Sequence, residues 1–137
     1  MFLLDTNVLS ELRRRDRCDV RVAAWADGIA PSQLYLSAIT ILEIETGTLL
    51  LARRDPASGA ALRAWIDGKV LPAFYGRIVP VDTPVAQCCA RLHVPDPKSE
   101  RDALIAASAI VHRLRLVTRN VNHFQSMRVD LLNPWIV

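Results

Sequence analysis

The chain has 137 residues, of which 51% are apolar and 23% charged, a globular composition that excludes a disordered tail or a low-complexity linker. That length suits a single domain over residues 1–137, long enough to bury roughly 70% of its unfolded surface without disulfide or metal staples. Seventeen Lys and Arg against fourteen Asp and Glu leave a net charge of +3, a mildly basic balance compatible with a polyanionic partner but no proof of one.

In chain order, Met1–Leu4 is a short apolar run that predicts a buried strand, and Asp5-Thr6-Asn7 turns it into a helix. Val8, Leu9 and Leu12 form that helix's stripe, and Arg13-Arg14-Arg15 closes it on a solvated basic end. Val20–Ile29 is a second helical stretch, stopped by Pro31. Leu34–Leu36 predicts a strand and Ser37–Leu51 a helix, followed by a charged loop over Arg53–Pro56. Ala57–Leu71 is helical around Leu62, Trp65 and Ile66, and the β-branched run Arg77–Val81 is a strand.

Thr83–Leu92 is a further helix, with Asp82 as its N-cap and Pro84 just inside its start. Pro95 and Pro97 make His93–Lys98 a loop. The Ala-rich stretch Arg101–Arg113 carries the clearest helical spacing; Leu116–Thr118 is a strand, and Val129–Leu131 a last one. Short strands alternating with longer helices imply βαβ units, hence an α/β fold with a parallel sheet covered by helices on both faces.

Three cysteines, with Cys88 and Cys89 adjacent, show no C-x-x-C spacing and read as reduced thiols of a cytoplasmic protein, the adjacent pair serving helix packing. The apolar run at the start is cut by Asp5, too short for a secretory signal, and no run approaches membrane-spanning length. His93, His112 and His123 are too scattered for a zinc motif, and no P-loop, G-x-S-x-G or dinucleotide fingerprint is present.

Three carboxylates fall near predicted helix starts: Asp5 after the first strand, Glu43 in the first turn after Leu34–Leu36, and Asp102 at the start of the Ala-rich helix. Each has a plain structural reading. Asp5 could be an ordinary N-cap, while Thr40 with Glu43 and Ser99 with Asp102 fit capping boxes. Glu43 is the hardest to dismiss, being the only charge within Ala38–Ile44, where an unpartnered buried carboxylate is costly. Ligands of open α/β sheets bind beyond the strand carboxyl ends, where Asp5 belongs. Two carboxylates about 4 Å apart repel by about 4 kcal/mol at an effective dielectric near 20, so three converging there would require a cation. A hard divalent ion such as Mg²⁺ or Mn²⁺ fits such oxygens and supports hydrolysis of a phosphodiester.

The same residues carry a family resemblance. Phe2-Leu3-Leu4-Asp5-Thr6-Asn7-Val8, Ser37–Ile44, Asp102–Ala109, Leu116-Val117-Thr118-Arg119-Asn120 with His123-Phe124, and the ending Asn133-Pro134-Trp135 resemble the PIN-domain ribonucleases, specifically the VapC-like toxins of type II toxin–antitoxin systems. The resemblance implies a three-layer α/β/α sandwich around a central parallel sheet of four to five strands. It implies a metal-dependent endoribonuclease with Asp5, Glu43 and Asp102 as Mg²⁺ or Mn²⁺ ligands, an RNA substrate, a homodimer, and inhibition by a small cognate antitoxin.

One departure stands out. Many relatives carry a fourth acid after the late strand, where this chain has Asn120 or His123. Asn120 can still offer a carbonyl oxygen to the metal or its water, whereas His123 suits softer ions, so one ion is expected. Thr6, Asn7 and Thr118 are short polar residues that orient the acids or simply cap, and Arg119 is a candidate phosphate contact. Two rival readings stay open: a degenerate module that binds RNA or a partner without cutting, and an Mg²⁺-dependent phosphatase with Asp5 as nucleophile.

Overall fold

The computed structural model describes all residues 1–137. Five strands, β1 (Phe2–Leu4), β2 (Leu34–Ser37), β3 (Ile78–Val79), β4 (Arg115–Val117) and β5 (Leu131–Leu132), form one all-parallel sheet in the order β3-β2-β1-β4-β5. The helices are α1 (Thr6–Leu12), α2 (Val20–Asp27), α3 (Ala38–Arg54), α4 (Pro56–Trp65), α5 (Leu71–Ala73), α6 (Thr83–Leu92), α7 (Glu100–His112) and α8 (Val121–Phe124).

The strand alternation builds the layers. β1 lies at the centre, and its successive residues point to opposite faces. Leu4 packs with Val8, Leu9, Val22, Ile44 and Val117 on one face. Leu3 packs with Ile105, Ala106, Leu116 and Phe124 on the other. Both leucines are essentially inaccessible, as expected for a parallel strand covered on both sides. Beyond α7, its small residues Ala103 and Ala107 let α6 approach closely through Val85, Cys88 and Cys89, giving the two cysteines the packing role expected of them. The result is the three-layer α/β/α sandwich. No helix is long and apolar enough to cross a membrane.

Several elements differ from the sequence reading, each for a local reason. Arg53–Pro56 is not a loop: α3 runs through Arg54, and Asp55 alone breaks the chain while capping α4 through Ser58. The helix expected over Ala57–Leu71 leaves α geometry after Trp65. Over Ile66–Val70 the turns widen to π, with the Leu71 N–H reaching the Ile66 carbonyl. Pro72 accounts for this, because its ring would clash with the carbonyl four residues back and it has no N–H to give. The strand expected over Arg77–Val81 shrinks to Ile78–Val79, since Pro80 cannot donate to a ladder. The last strand is Leu131–Leu132 rather than Val129–Leu131. The short α8 and the 3₁₀ turns Pro31–Gln33 and Gln125–Met127 carry no periodic signal and were not anticipated.

The α3–α4 pair depends on one glycine. A β-carbon on the buried Gly59 would lie 2.5 Å from both the Cα and Cβ of Ala52 on α3. The helices would have to separate, breaking the fork in which Arg63 of α4 reaches Glu45 of α3 at 2.6 and 2.8 Å. Gly59→Ala is therefore expected to destabilise by about 2 kcal/mol, the usual scale of overpacking, despite alanine's better helix propensity. Urea denaturation checks this: an unchanged midpoint would show that α3 and α4 are not held this close.

Candidate metal centre

The strand order reverses at β1. From β1 the chain builds β2 and β3 to one side, then returns to place β4 and β5 on the other. At such a switch point the connections leave toward opposite faces and open a crevice at the strand carboxyl ends. Here α1 leaves β1 over one face with Val8 and Leu9, while α8 follows β4 over the other with Phe124. Asp5 and Thr118 end the two strands and meet across that crevice.

Asp5 is the N-cap of α1, as its sequence position suggested, and more than a cap. One carboxylate oxygen accepts from the Thr6 N–H at 2.8 Å, and the other from the Thr118 hydroxyl at 2.8 Å and the Asn7 amide at 3.2 Å. Only 7% of the residue is exposed. Burial pushes its carboxyl above the ordinary range, the hydrogen bonds from Thr118 and Thr6 oppose that, and the charges of Glu43 and Asp102 push it further up. Those two contributions show only that Glu43 and Asp102 lie near enough for their charges to reach Asp5.

Thr118 holds the crevice together. It is fully buried, and its hydroxyl donates to Asp5 while accepting from the Asn7 amide at 3.3 Å and the Asn120 N–H at 3.0 Å. Asn7 is also fixed from its oxygen side, where it accepts from the Arg119 N–H at 3.2 Å. Arg119 in turn rests its guanidinium over the Trp135 ring, 5.2 Å from the centroid. Asn120 is exposed beside Thr118, and its side chain makes no hydrogen bond.

Glu43 corrects the sequence reading. The N-cap of α3 is Ser37, which accepts from the Ile39 N–H at 3.0 Å, so Glu43 lies in the second turn and no Thr40–Glu43 capping box forms. Its carboxylate accepts from the Thr6 hydroxyl at 2.6 Å. The buried Thr40 hydroxyl, 3.2 Å from that of Thr6, backs this contact. Asp102 lies in the first turn of α7, whose N-cap Ser99 accepts from the Asp102 N–H at 3.5 Å.

Two further side chains attend the acids, Arg101, which the sequence reading missed, and His123. Arg101 lies 3.9 Å from Glu43, and the His123 ring nitrogen 3.6 Å from Asp102. Neither contact leaves a local sequence pattern, although Arg101 adjoins Asp102. The oxygens of Asp5, Glu43 and Asp102 do not all lie within 4.8 Å of one another. The three therefore form no closed ligand set as they stand, although an all-oxygen donor set of hard character is the kind that fits Mg²⁺ or Mn²⁺.

The three histidines do not come together as a metal cluster, but His93 joins Cys89 and Glu100 with donor atoms within 4.8 Å. That cluster is a poor metal site. The Lys98 N–H donates to His93 Nδ1 at 3.0 Å, so the ring proton sits on Nε2, facing the Cys89 sulfur at 3.6 Å. A metal-bound imidazole needs the opposite arrangement, with its second nitrogen donating. Burial also pushes the Cys89 thiol up, away from the thiolate a metal requires.

A parallel α/β sandwich with acidic side chains near its switch point carries its candidate site where ligands of such sheets bind. The PIN domain profile matches residues 2–129, and the chain belongs to that family. It is 37% identical over 140 residues to Toxin FitB of Neisseria gonorrhoeae, covering 98% of this chain and 99% of that protein. Against the VapC ribonuclease Y4jK of Sinorhizobium fredii the identity is 36% over 140 residues, with 98% of both chains covered. The crystal structure of FitAcB from Neisseria gonorrhoeae superposes with a TM-score of 0.90 at 37% identity over 100% of both chains.

Proposed function

We propose that this chain is a metal-dependent endoribonuclease and the toxin of a toxin–antitoxin module. The observation that carries the reading is the placement of Asp5, buried at the sheet's switch point and held by Thr6, Asn7 and Thr118, with Glu43 tied to the neighbouring Thr6 hydroxyl. A buried acid pressed by two others, with neutral hydrogen-bond donors fixing it, is an arrangement that a divalent cation completes. The names of the relatives, a toxin and a VapC ribonuclease, support the substrate and the cellular role.

In this reading Asp5, Glu43 and Asp102 hold Mg²⁺ or Mn²⁺, and Asn120 offers its amide oxygen to the ion or to a bound water. When bound, the ion supplies a nucleophilic water at neutral pH and neutralises charge on the phosphate. The chain's own groups do the positioning. Thr118 and Asn7 fix one Asp5 oxygen, and Thr6 fixes Glu43, so the acids keep their orientation while repelling one another. Arg119, held on Trp135, presents a guanidinium near the crevice for a substrate phosphate, and Arg101 stands beside Glu43 as a second cation for the same purpose. The partners that go with this reading are RNA, a small cognate antitoxin and a second copy of the chain in a homodimer, in the cytoplasm.

Incubation of the antitoxin-free protein with total RNA tests the proposal. Discrete fragments should appear with Mg²⁺ or Mn²⁺ and vanish with EDTA. Intact RNA after incubation with folded, metal-loaded protein would favour a module that binds without cutting, a reading that rests on Asn120 at the fourth-acid position.

A further inference from the structure

The opposite edge of the sheet carries a second feature. There, where β1 and β4 begin, a cavity of about 550 Å³ opens between Met1, Phe2, Leu114, Arg115 and Val129, with Arg113 and Arg128 on its walls. A second cavity of about 500 Å³ adjoins it, sharing Ile110 and Arg128 and adding Arg91 and Lys98. The pair forms one groove with an apolar floor and five cations.

Its charge is scarcely compensated. Asp130 is the only carboxylate lining either cavity, and it pairs with Arg115 at 3.4 Å. Arg91, Lys98, Arg113 and Arg128 have no carboxylate partner. The groove runs along α7: Arg113 caps the helix end far from Asp102, about 16 Å away at 1.5 Å per residue, while Lys98 stands just ahead of the helix start.

Two of these arginines sit where arginine is disfavoured. Arg113 and Arg128 both have φ of 55°, in the left-handed region. Arg113 is the C-cap of α7, and its N–H bonds to the Ala109 and Ile110 carbonyls. Glycine would make the same cap without the steric cost of a β-carbon, so the backbone does not call for arginine at either place. Both strained positions instead deliver a guanidinium to the same groove.

We propose that this groove, whose lining includes none of the three acids, is a second RNA-binding site that grips the phosphate backbone of single-stranded RNA. The proposal rests on the reading of the protein as an RNA-acting toxin. Two joined cavities with four uncompensated cations suit a chain of phosphates better than a single anion, and the apolar floor offers contact to bases.

The test is RNA binding in EDTA, where cleavage plays no part. A fluorescein-labelled single-stranded 20-mer is titrated by anisotropy at several salt concentrations, with wild type and with Arg113→Gly/Arg128→Gly. Two lost phosphate contacts should weaken affinity and reduce the slope of log K against log salt by about 1.4, at about 0.7 per contact. The melting temperature should hold or rise, because glycine relieves both left-handed residues. A purely structural role would lower it. Arg113→Gln/Arg128→Gln, which keeps a side chain at both positions, should show the same loss of slope. Arg53→Gln/Lys69→Gln removes equal charge around α4 on the other face and should change the slope by far less. An unchanged slope in the groove variants, an equal drop in the control, or no RNA binding by the wild type would overturn the proposal. Groove-dependent binding by a protein that never cuts RNA would uphold it and remove the nuclease reading instead.

Discussion

Asp5→Asn is expected to lower RNA cleavage by about 10³-fold or more, while the metal-free protein stays folded. The loss follows from the ion's contribution of several kcal/mol to the transition state, at tenfold per 1.36 kcal/mol. The fold survives because asparagine caps helices as well as aspartate does. Its oxygen can still accept from the Thr6 N–H, but its amide replaces an acceptor shared by Thr118 and the Asn7 amide, so those two side chains must re-orient. The variant also removes a carboxylate that burial, Glu43 and Asp102 all disfavour in its charged form. Cleavage rates and thermal melts on one preparation check both halves. A variant with full activity would remove Asp5 from the centre.

The second large effect is a pH-dependent stabilisation by metal. Asp5 titrates above its ordinary value in the metal-free fold. The folded state thus holds that proton to higher pH than the unfolded chain does, and the stability linked to it is complete below the unfolded value near 3.9. It is lost as pH rises through the raised folded value. A divalent ion binds the deprotonated centre and reverses the loss. Mn²⁺ at 100 times its Kd should add about 2.7 kcal/mol near neutral pH. The increment should shrink toward zero as pH falls through Asp5's titration, and Asp5→Asn should abolish it. Melting scans from pH 4 to 8 with and without Mn²⁺ measure this directly. An increment that stays constant with pH would mean the ion sits away from Asp5.

Much of this was legible in the sequence because it is local. Thr83–Leu92 was bounded correctly by Asp82, Pro84 and the prolines beyond it, and Asp5 was read as a cap at the end of a strand. Glu43 was placed one turn too early because Ser37 and Thr40 are both eligible caps, and only the end of β2 decides between them. The π segment escaped notice because Pro72 acts backward on a helix that otherwise looks continuous. Thr6, Asn7 and Thr118 were flagged as short polar residues near acids, but the sequence could not say which acid each would hold. Arg101, His123 and the Cys89–His93–Glu100 cluster depend on how α6, α7 and α8 come together, which no local pattern encodes.

A crystal grown with Mn²⁺ and measured for anomalous scattering tests the central claim most directly. The account predicts one strong peak among Asp5, Glu43 and Asp102, with the Asp5 carboxylate still held by Thr118. Two full peaks there would contradict the single ion expected from Asn120 and His123 at the fourth-acid positions. No peak among the three acids, or one only at Cys89, His93 and Glu100, would contradict the metal centre itself.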